Sequence, residues 1–323
     1  MHFLFITEKY CREKKYGLTN NMVNLIGSYE CADIGTYKHI FISQDEGDIW
    51  TDDMSRRTKV IDDVLLKEEY DYAYISPYAS YIVSPEVAKK LGRKILINWT
   101  DTVTPNFQSS YRKYLHKYTS NNNIVWDYGN GEEVENFLCV ATPQDTRIFY
   151  PTEEKNKNID FSFLGMRSFP LSDHPGVIYR KNLFEKLKIA GIPIYISGGR
   201  GDNNDNLTPN EYSDIMRRSK VSLNPNWGHW SPHRKGRMYE TAASGSFILC
   251  SYPEVFYGKD GWYFDPNSHF GHFNDENFID SVYFWLNNNK ERQQRTEAAY
   301  NHWFKYYSPK PWWDKVLNFC NKR

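Results

Sequence analysis

The chain has 323 residues, a length that suits two domains of ordinary size rather than one small module. Lys and Arg number 40 against 40 Asp and Glu, which argues against a generally basic nucleic-acid coat and against an acidic, disordered chain. Hydrophobic residues make up 40% and aromatics 17%, an aromatic excess that suits a core or a site where ring faces meet flat ligands.

Short apolar runs alternate with helix-period segments from the N-terminus onward. Residues 3–7 read as a strand, 17–26 as a helix, 39–43 as a strand and 60–68 as a helix. Strands at 72–75 and 94–97 flank a helix at 85–91, and 124–126 reads as a weaker strand. Residues 151–158 (PTEEKNKN) are polar, carry no apolar period and read as a linker. The rhythm then restarts. Residues 160–165 form a strand ending in Gly165, followed by a helix at 177–190, a strand at 192–198 and a helix at 210–218. A strand at 220–224, a helix at 236–243, and strands at 247–250 and 262–264 come next, then helices at 276–286, 290–306 and 312–319.

Strands alternating with helices imply parallel sheets with right-handed crossovers. The fold expected is α/β, with two doubly wound Rossmann-like domains, 1–150 and 151–308, facing a cleft. Ligands of such sheets sit at the carboxyl ends of strands. No apolar run reaches the roughly 18 residues of a membrane span. The N-terminus opens directly on a strand pattern, without the design of a signal peptide. Five scattered cysteines with no CxxC pair read as free thiols in a reducing cytoplasm, with no structural zinc.

The segment 220–245 places a strand, a loop and a helix in succession. Arg237 and Glu240 are three apart and share one helix face. Backbone N–H groups and the dipole at the helix start favour an anion, and Arg237 adds a fork suited to phosphate. Glu240 can accept from the two hydroxyls of a ribose. The same spacing also suits a plain ion pair on a helix with a tight C-cap.

Arg237-x-x-Glu240-x-x-Ala243-x-Gly245, followed by a strand, resembles the nucleotide-sugar signature of GT-B glycosyltransferases, closest to the group-1 and CgeB-like families. The strand at 160–165 with Arg167, and the approach at 143–151, resemble their first strand and phosphate loop. The resemblance covers most of residues 140–305 and is weaker over the first half. It implies a GT-B fold, a C-terminal helix at 309–323 returning to the first domain, and a nucleotide-sugar donor, by default a UDP-sugar. Gly165, Arg167, Arg180, His233, Arg237 and Glu240 would bind that donor. Arg167 and Arg180 would neutralise diphosphate; their plain readings are a loop charge and a helix-surface residue.

Residues 97–109, carrying Thr100-Asp101, Pro105 and Gln108-Ser109, resemble a segment of the T-even phage DNA β-glucosyltransferases. The resemblance implies Asp101 as general base in an inverting transfer, and the plain alternative is an Asx-turn after a strand. The basic-aromatic loop at 8–17 would then meet the acceptor, with Arg12, Lys14, Lys15, Tyr16 and Arg112 gripping duplex DNA and a hydroxymethylated base such as 5-hydroxymethylcytosine. The same loop also reads as solvated surface. Pro232 stands where many retaining relatives carry a donor-sugar Glu, and no DxD motif is present, though Mg²⁺ could still assist. The expectation is a monomeric glycosyltransferase in the cytoplasm, the host's if the source is viral. A glycan or protein acceptor, or a nucleotide-sugar-binding module without turnover, stands as the alternative.

Overall fold

The computed structural model describes residues 1–8, 20–42, 54–75, 83–99, 123–126, 133–134, 137–165, 175–197, 207–225, 236–251 and 264–322. The chain divides into two compact units, one of Met1–Thr142 with Trp312–Arg323, the other of Pro143–Pro311.

The first unit is built on β1 (His2–Glu8), which pairs in parallel with β2 (Thr36–Ile42) on one side and β3 (Tyr72–Ile75) on the other. The sheet continues through β4 (Ile95–Trp99), β5 (Asn123–Trp126), β7 (Phe137–Cys139) and β6 (Glu133–Val134), in the order β2-β1-β3-β4-β5-β7-β6. The two-fold alternation of β1 serves both faces of the sheet. Leu4 and Ile6 pack with Ile61 and Leu65 of α2 (Met54–Lys67) and Val87 and Ala88 of α3 (Pro85–Leu91). Phe3 and Phe5 pack with Leu25 and Tyr29 of α1 (Asn20–Ala32) and with Trp312, Trp313, Val316 and Phe319 near the chain's end. The Trp313 indole donates to Ser28 Oγ (3.1 Å) and the Trp312 indole to the Ala141 carbonyl (2.5 Å), so both buried rings satisfy their N–H.

The second unit has a fully parallel five-stranded sheet. Its strands are β8 (Ile159–Leu164), β9 (Tyr195–Ser197), β10 (Ser219–Asn224), β11 (Phe247–Ser251) and β12 (Gly271–Phe273), in the order β12-β11-β10-β8-β9. Its helices are α4 (Pro175–Ile189), α5 (Pro209–Arg218), α6 (Gly236–Ala243), α7 (Phe278–Asn287) and α8 (Asn289–Tyr306), and α9 (Pro309–Asn321) follows. The chain leaves β8 toward β9 on one side and resumes with β10 on the other. The strand order therefore reverses between β8 and β10, and the carboxyl ends at such a reversal are where sheets of this kind bind ligands.

Helix α6 stops where it does because of its last residues. Gly245 holds φ at +64°, its N–H bonds to the Ala242 carbonyl (3.0 Å), and Ser246 N–H bonds to the Thr241 carbonyl (3.1 Å), the two bonds of a Schellman cap. A Cβ on Gly245 would sit 2.6 Å from Pro151 Cβ and 3.2 Å from Pro151 Cα. The buried Lys157 ammonium donates to the Gly245 carbonyl, holding this end of α6 a second time.

Four details differ from the sequence reading. Residues 151–158 are not a bare linker, because Lys157 is buried and Glu154 pairs with the buried Arg292 of α8 at 3.2 Å. Helix α1 runs on past Gly27 to bury Tyr29 and Ala32 against the sheet, a tertiary gain that outweighs one glycine. The short strands β6 and β7 pair antiparallel and were hidden by their length. Trp262 and Tyr263 lie outside the described residues, and Phe264 is buried but not in a strand; the sheet's edge is β12 instead. Gly271 permits that edge, since a Cβ there would meet Trp285 Nε1 at 2.4 Å and Phe247 Cζ at 2.9 Å.

Replacing Gly245 by Ala forces a left-handed residue against Pro151, and should cost about 1–2 kcal/mol from the backbone alone, with more from the contact, as read by denaturant unfolding. Lys157 supplies a pH signature. Burial lowers its ammonium to about 8 from 10.5, with Arg292 adding to the fall and Glu154 opposing it. The unfolded chain therefore holds more protons between those values, and stability rises with pH across that window. The wild-type Tm should climb relative to Lys157→Met between pH 8 and 10.5 and run parallel to it below pH 8.

Candidate functional site

The site is built from the end of β8. Alternation along the strand puts Phe163 and Gly165 on one side, two residues apart. The Arg237 guanidinium, from the first turn of α6, lies over the Phe163 ring with its carbon 4.6 Å from the centroid. A Cβ on Gly165 would stand 2.1 Å from Arg237 Nη2. Ring and gap together make a seat for one planar cation. Gly165 holds φ at +155° and its N–H donates to the Ser197 carbonyl (2.9 Å), which ties this turn to the end of β9.

Arg180 comes from the second turn of α4 and is only 7% exposed. Its Nε donates to the Gly176 carbonyl of its own helix (3.0 Å). Burial, and after it the neighbouring charge of Arg237, lower its guanidinium to about 10. Among the described residues, the arginines in ion pairs with carboxylates are Arg147, Arg217, Arg218, Arg292 and Arg295, and neither Arg180 nor Arg237 is among them. Arg237 Nε is moreover buried without a hydrogen-bond partner. Two like charges thus share a confined place at the switch point of the sheet. Such an arrangement is expensive alone and is relieved by an anion.

Glu240 stands one turn along α6, 7% exposed, and accepts a hydrogen bond from the Tyr212 hydroxyl of α5 (2.9 Å). Beneath the helix, Thr241 Oγ1 donates to the Arg237 carbonyl (2.7 Å), and Asn224 Nδ2 approaches Thr241 Oγ1 (3.4 Å) from the end of β10. Asn224 Oδ1 is buried with no partner. A guanidinium donor and an amide acceptor are therefore both left unmet at the carboxyl ends of β8 and β10. Every residue of α6 from Met238 to Ala243 is buried, and the small side chains of Ala242, Ala243 and Ser244 let the helix lie close on its sheet.

Of the donor-side residues expected from sequence, Gly165, Arg180, Arg237 and Glu240 all belong to this one place in the second unit. Arg167 and His233 lie outside the described residues. So do Asp101, Arg12, Lys14, Lys15, Tyr16 and Arg112 of the acceptor side. Tyr212 and Asn224 were not anticipated. Tyr212 reads locally as one more residue of an amphipathic helix, and only the packing of α5 against α6 brings it to Glu240. Among the described residues, no helix is long and apolar enough to cross a membrane, and no group of three His, Cys, Asp or Glu side chains could hold a metal.

Comparison with known proteins bears on the fold. Residues 180–318 match the family described as glycosyl transferase-like. No curated protein matches the sequence. The fold is similar to that of Anabaena Alr3699/HepE, solved in complex with UDP and glucose, at TM-score 0.61 and 9% identity over 98% of this chain and 99% of that one. It is similar to an alpha-glucosyltransferase (AGT) in complex with UDP, at TM-score 0.66 and 10% identity over 99% of each chain. A glycosyltransferase from Rickettsia africae gives TM-score 0.57 and 12% identity over 99% and 98%. The chain thus has a two-unit GT-B fold, and its residues 180–318 match the glycosyl transferase-like family.

Proposed function

We propose that the protein transfers a sugar from a UDP-sugar to a hydroxyl acceptor, and that its favoured acceptor is a 5-hydroxymethylated pyrimidine in duplex DNA. The carrying observation is the pair of neighbouring charges at the end of β8, Arg180 buried and Arg237 half-buried, with neither in an ion pair with a carboxylate among the described residues. A diphosphate matches that demand in charge and size. Phosphoryl oxygens would take the Arg237 fork and the N–H groups at the start of α6, with Arg167 and His233 adding charge from the adjoining loops. Cleavage of the sugar–phosphate bond leaves negative charge on the departing diphosphate, and fixed cations stabilise it most as it develops. Glu240 would take the ribose hydroxyls.

On the acceptor side, Asp101 would remove the proton of the attacking hydroxyl, with Arg12, Lys14, Lys15, Tyr16 and Arg112 on the DNA. The solved alpha-glucosyltransferase bound to UDP and a 13-mer DNA supports a DNA acceptor for this fold. HepE, solved with UDP and UDP-glucose, supports the donor class. The guanidinium groups would supply positive charge at the departing diphosphate, and Mg²⁺ could add to it.

Three measurements test the reading. Arg237→Ala should weaken UDP binding about ten- to a hundredfold by calorimetry, as expected for losing charge-assisted hydrogen bonds. Arg180→Met should weaken UDP binding at least about tenfold while raising the Tm of the ligand-free protein, because it removes a buried charge that has no carboxylate partner among the described residues. A Tm that falls instead would mean that Arg180 has a structural partner. Duplex DNA carrying 5-hydroxymethylcytosine or 5-hydroxymethyluracil, incubated with UDP-sugars and digested, should gain one sugar by mass. Asp101→Ala should reduce that gain about a hundredfold or more. A β-linked product from an α-linked donor fits direct displacement with Asp101 as base, and an α-linked product removes that role. Donor hydrolysis with no gain on any DNA moves the acceptor to a glycan or protein.

A further inference from the structure

The Tyr212 hydroxyl stands between the two charged side chains of α6, and we propose that Tyr212 is a positioning residue that fixes Arg237 and Glu240 for the donor. This rests on the donor reading given above. The hydroxyl donates to Glu240 Oε2 at 2.9 Å, and the Arg237 guanidinium approaches the hydroxyl oxygen itself. A phenol has one O–H to give and lone pairs to receive, so it suits a carboxylate on one side and a guanidinium on the other. No other residue type of that size offers both on a rigid ring.

The ring cannot readily yield its place. It is partly exposed along its body, while its hydroxyl end is enclosed. The Phe149 ring meets it edge to face, with centroids 6.3 Å apart. The first turn of α5 is locked by a capping box, in which Glu211 N–H donates to Thr208 Oγ1 (3.3 Å) and Thr208 N–H to Glu211 Oε2 (2.8 Å). Tyr212 N–H then bonds to the Thr208 carbonyl (2.9 Å), and Ser213 Oγ and Arg217 Nη1 both donate to the Ile148 carbonyl. Helix α5 is thereby fastened to the segment that carries Phe149, and the phenol projects from a fixed base. Burial and the nearby Glu240 carboxylate both push its O–H well above the ordinary tyrosine range, so the group stays a donor throughout the working pH range.

Positioning of this kind appears in the ligand and not in the fold. Without the phenol, the Glu240 carboxylate and the Arg237 guanidinium, which lie one turn apart on α6, can turn toward each other. That collapse would consume the charges meant for ribose and diphosphate. Preorganisation of the free site is lost, and binding must restore it.

The test is a double-mutant cycle on UDP affinity, measured by calorimetry for wild type, Tyr212→Phe, Glu240→Gln and the double variant. Tyr212→Phe keeps the ring and its contact with Phe149, so far-UV circular dichroism should be unchanged. Its UDP Kd should rise about tenfold, while in the Glu240→Gln background the same change should have an effect of less than about twofold. In turnover, the loss should appear in KM for the donor rather than in kcat. Wild type that binds UDP with Tyr212→Phe binding it equally well overturns the positioning role and leaves the donor reading standing. Equal losses in both backgrounds also overturn it, since the phenol would then act independently of Glu240. Wild type that binds neither UDP nor pyrophosphate overturns both readings together.

Discussion

One contact organises the second unit: a guanidinium lying flat on a phenylalanine ring, in a gap that only glycine leaves. Arg237 reaches Phe163 and Gly165 only if α6 lies close to the carboxyl ends of β8 and β10. That closeness requires the small, buried residues at the end of α6, and it requires the helix to stop sharply at Gly245. Pro151 and Lys157 press on the stop from the polar segment before β8, which makes that segment part of the unit. The cation at one end of α6 and the glycine cap at the other are thus parts of one arrangement.

The energetics of this arrangement run against stability and toward function. Burial and the neighbouring Arg237 both lower the Arg180 guanidinium, and neither arginine is in an ion pair with a carboxylate among the described residues. Arg292 shows the contrasting solution in the same unit. It is buried like Arg180, yet it donates to the carbonyls of Trp285 and Leu286 and pairs with Glu154. A structural arginine is satisfied within the protein, whereas one held for an anion is not. The unmet Arg237 Nε and Asn224 Oδ1 carry the same message in hydrogen bonds.

The first unit is organised differently. Its central strand β1 is buried on both faces, aliphatic on one and aromatic on the other. The aromatic face is closed by Trp312 and Trp313, so the last twelve residues of the chain complete a core that the first residues begin. Its strand order also reverses beside β1, between β2 and β3 on either side of it.

Much of this was legible in the chain itself, for physical reasons that can be named. Periodicity of two and of 3.6 carried the strand–helix rhythm, since burial on both faces of a parallel sheet demands continuous apolar strands. The spacing of Arg237, Glu240, Ala243 and Gly245 carried the helix, its cap and its charged face, because all four lie within two turns and depend only on local geometry. Elements too short for a period escaped, β6, β7 and β12 among them, and so did the continuation of α1 through Gly27. What the sequence alone determined was therefore local: which segments fold as which elements, and which faces carry charge. What only the tertiary structure decided was the meeting of residues far apart in the chain: Arg180 with Arg237, Tyr212 with Glu240, Lys157 with Gly245. Such contacts arise from the packing of elements onto one another, and packing obeys shape and volume summed over the whole unit, which no local pattern records.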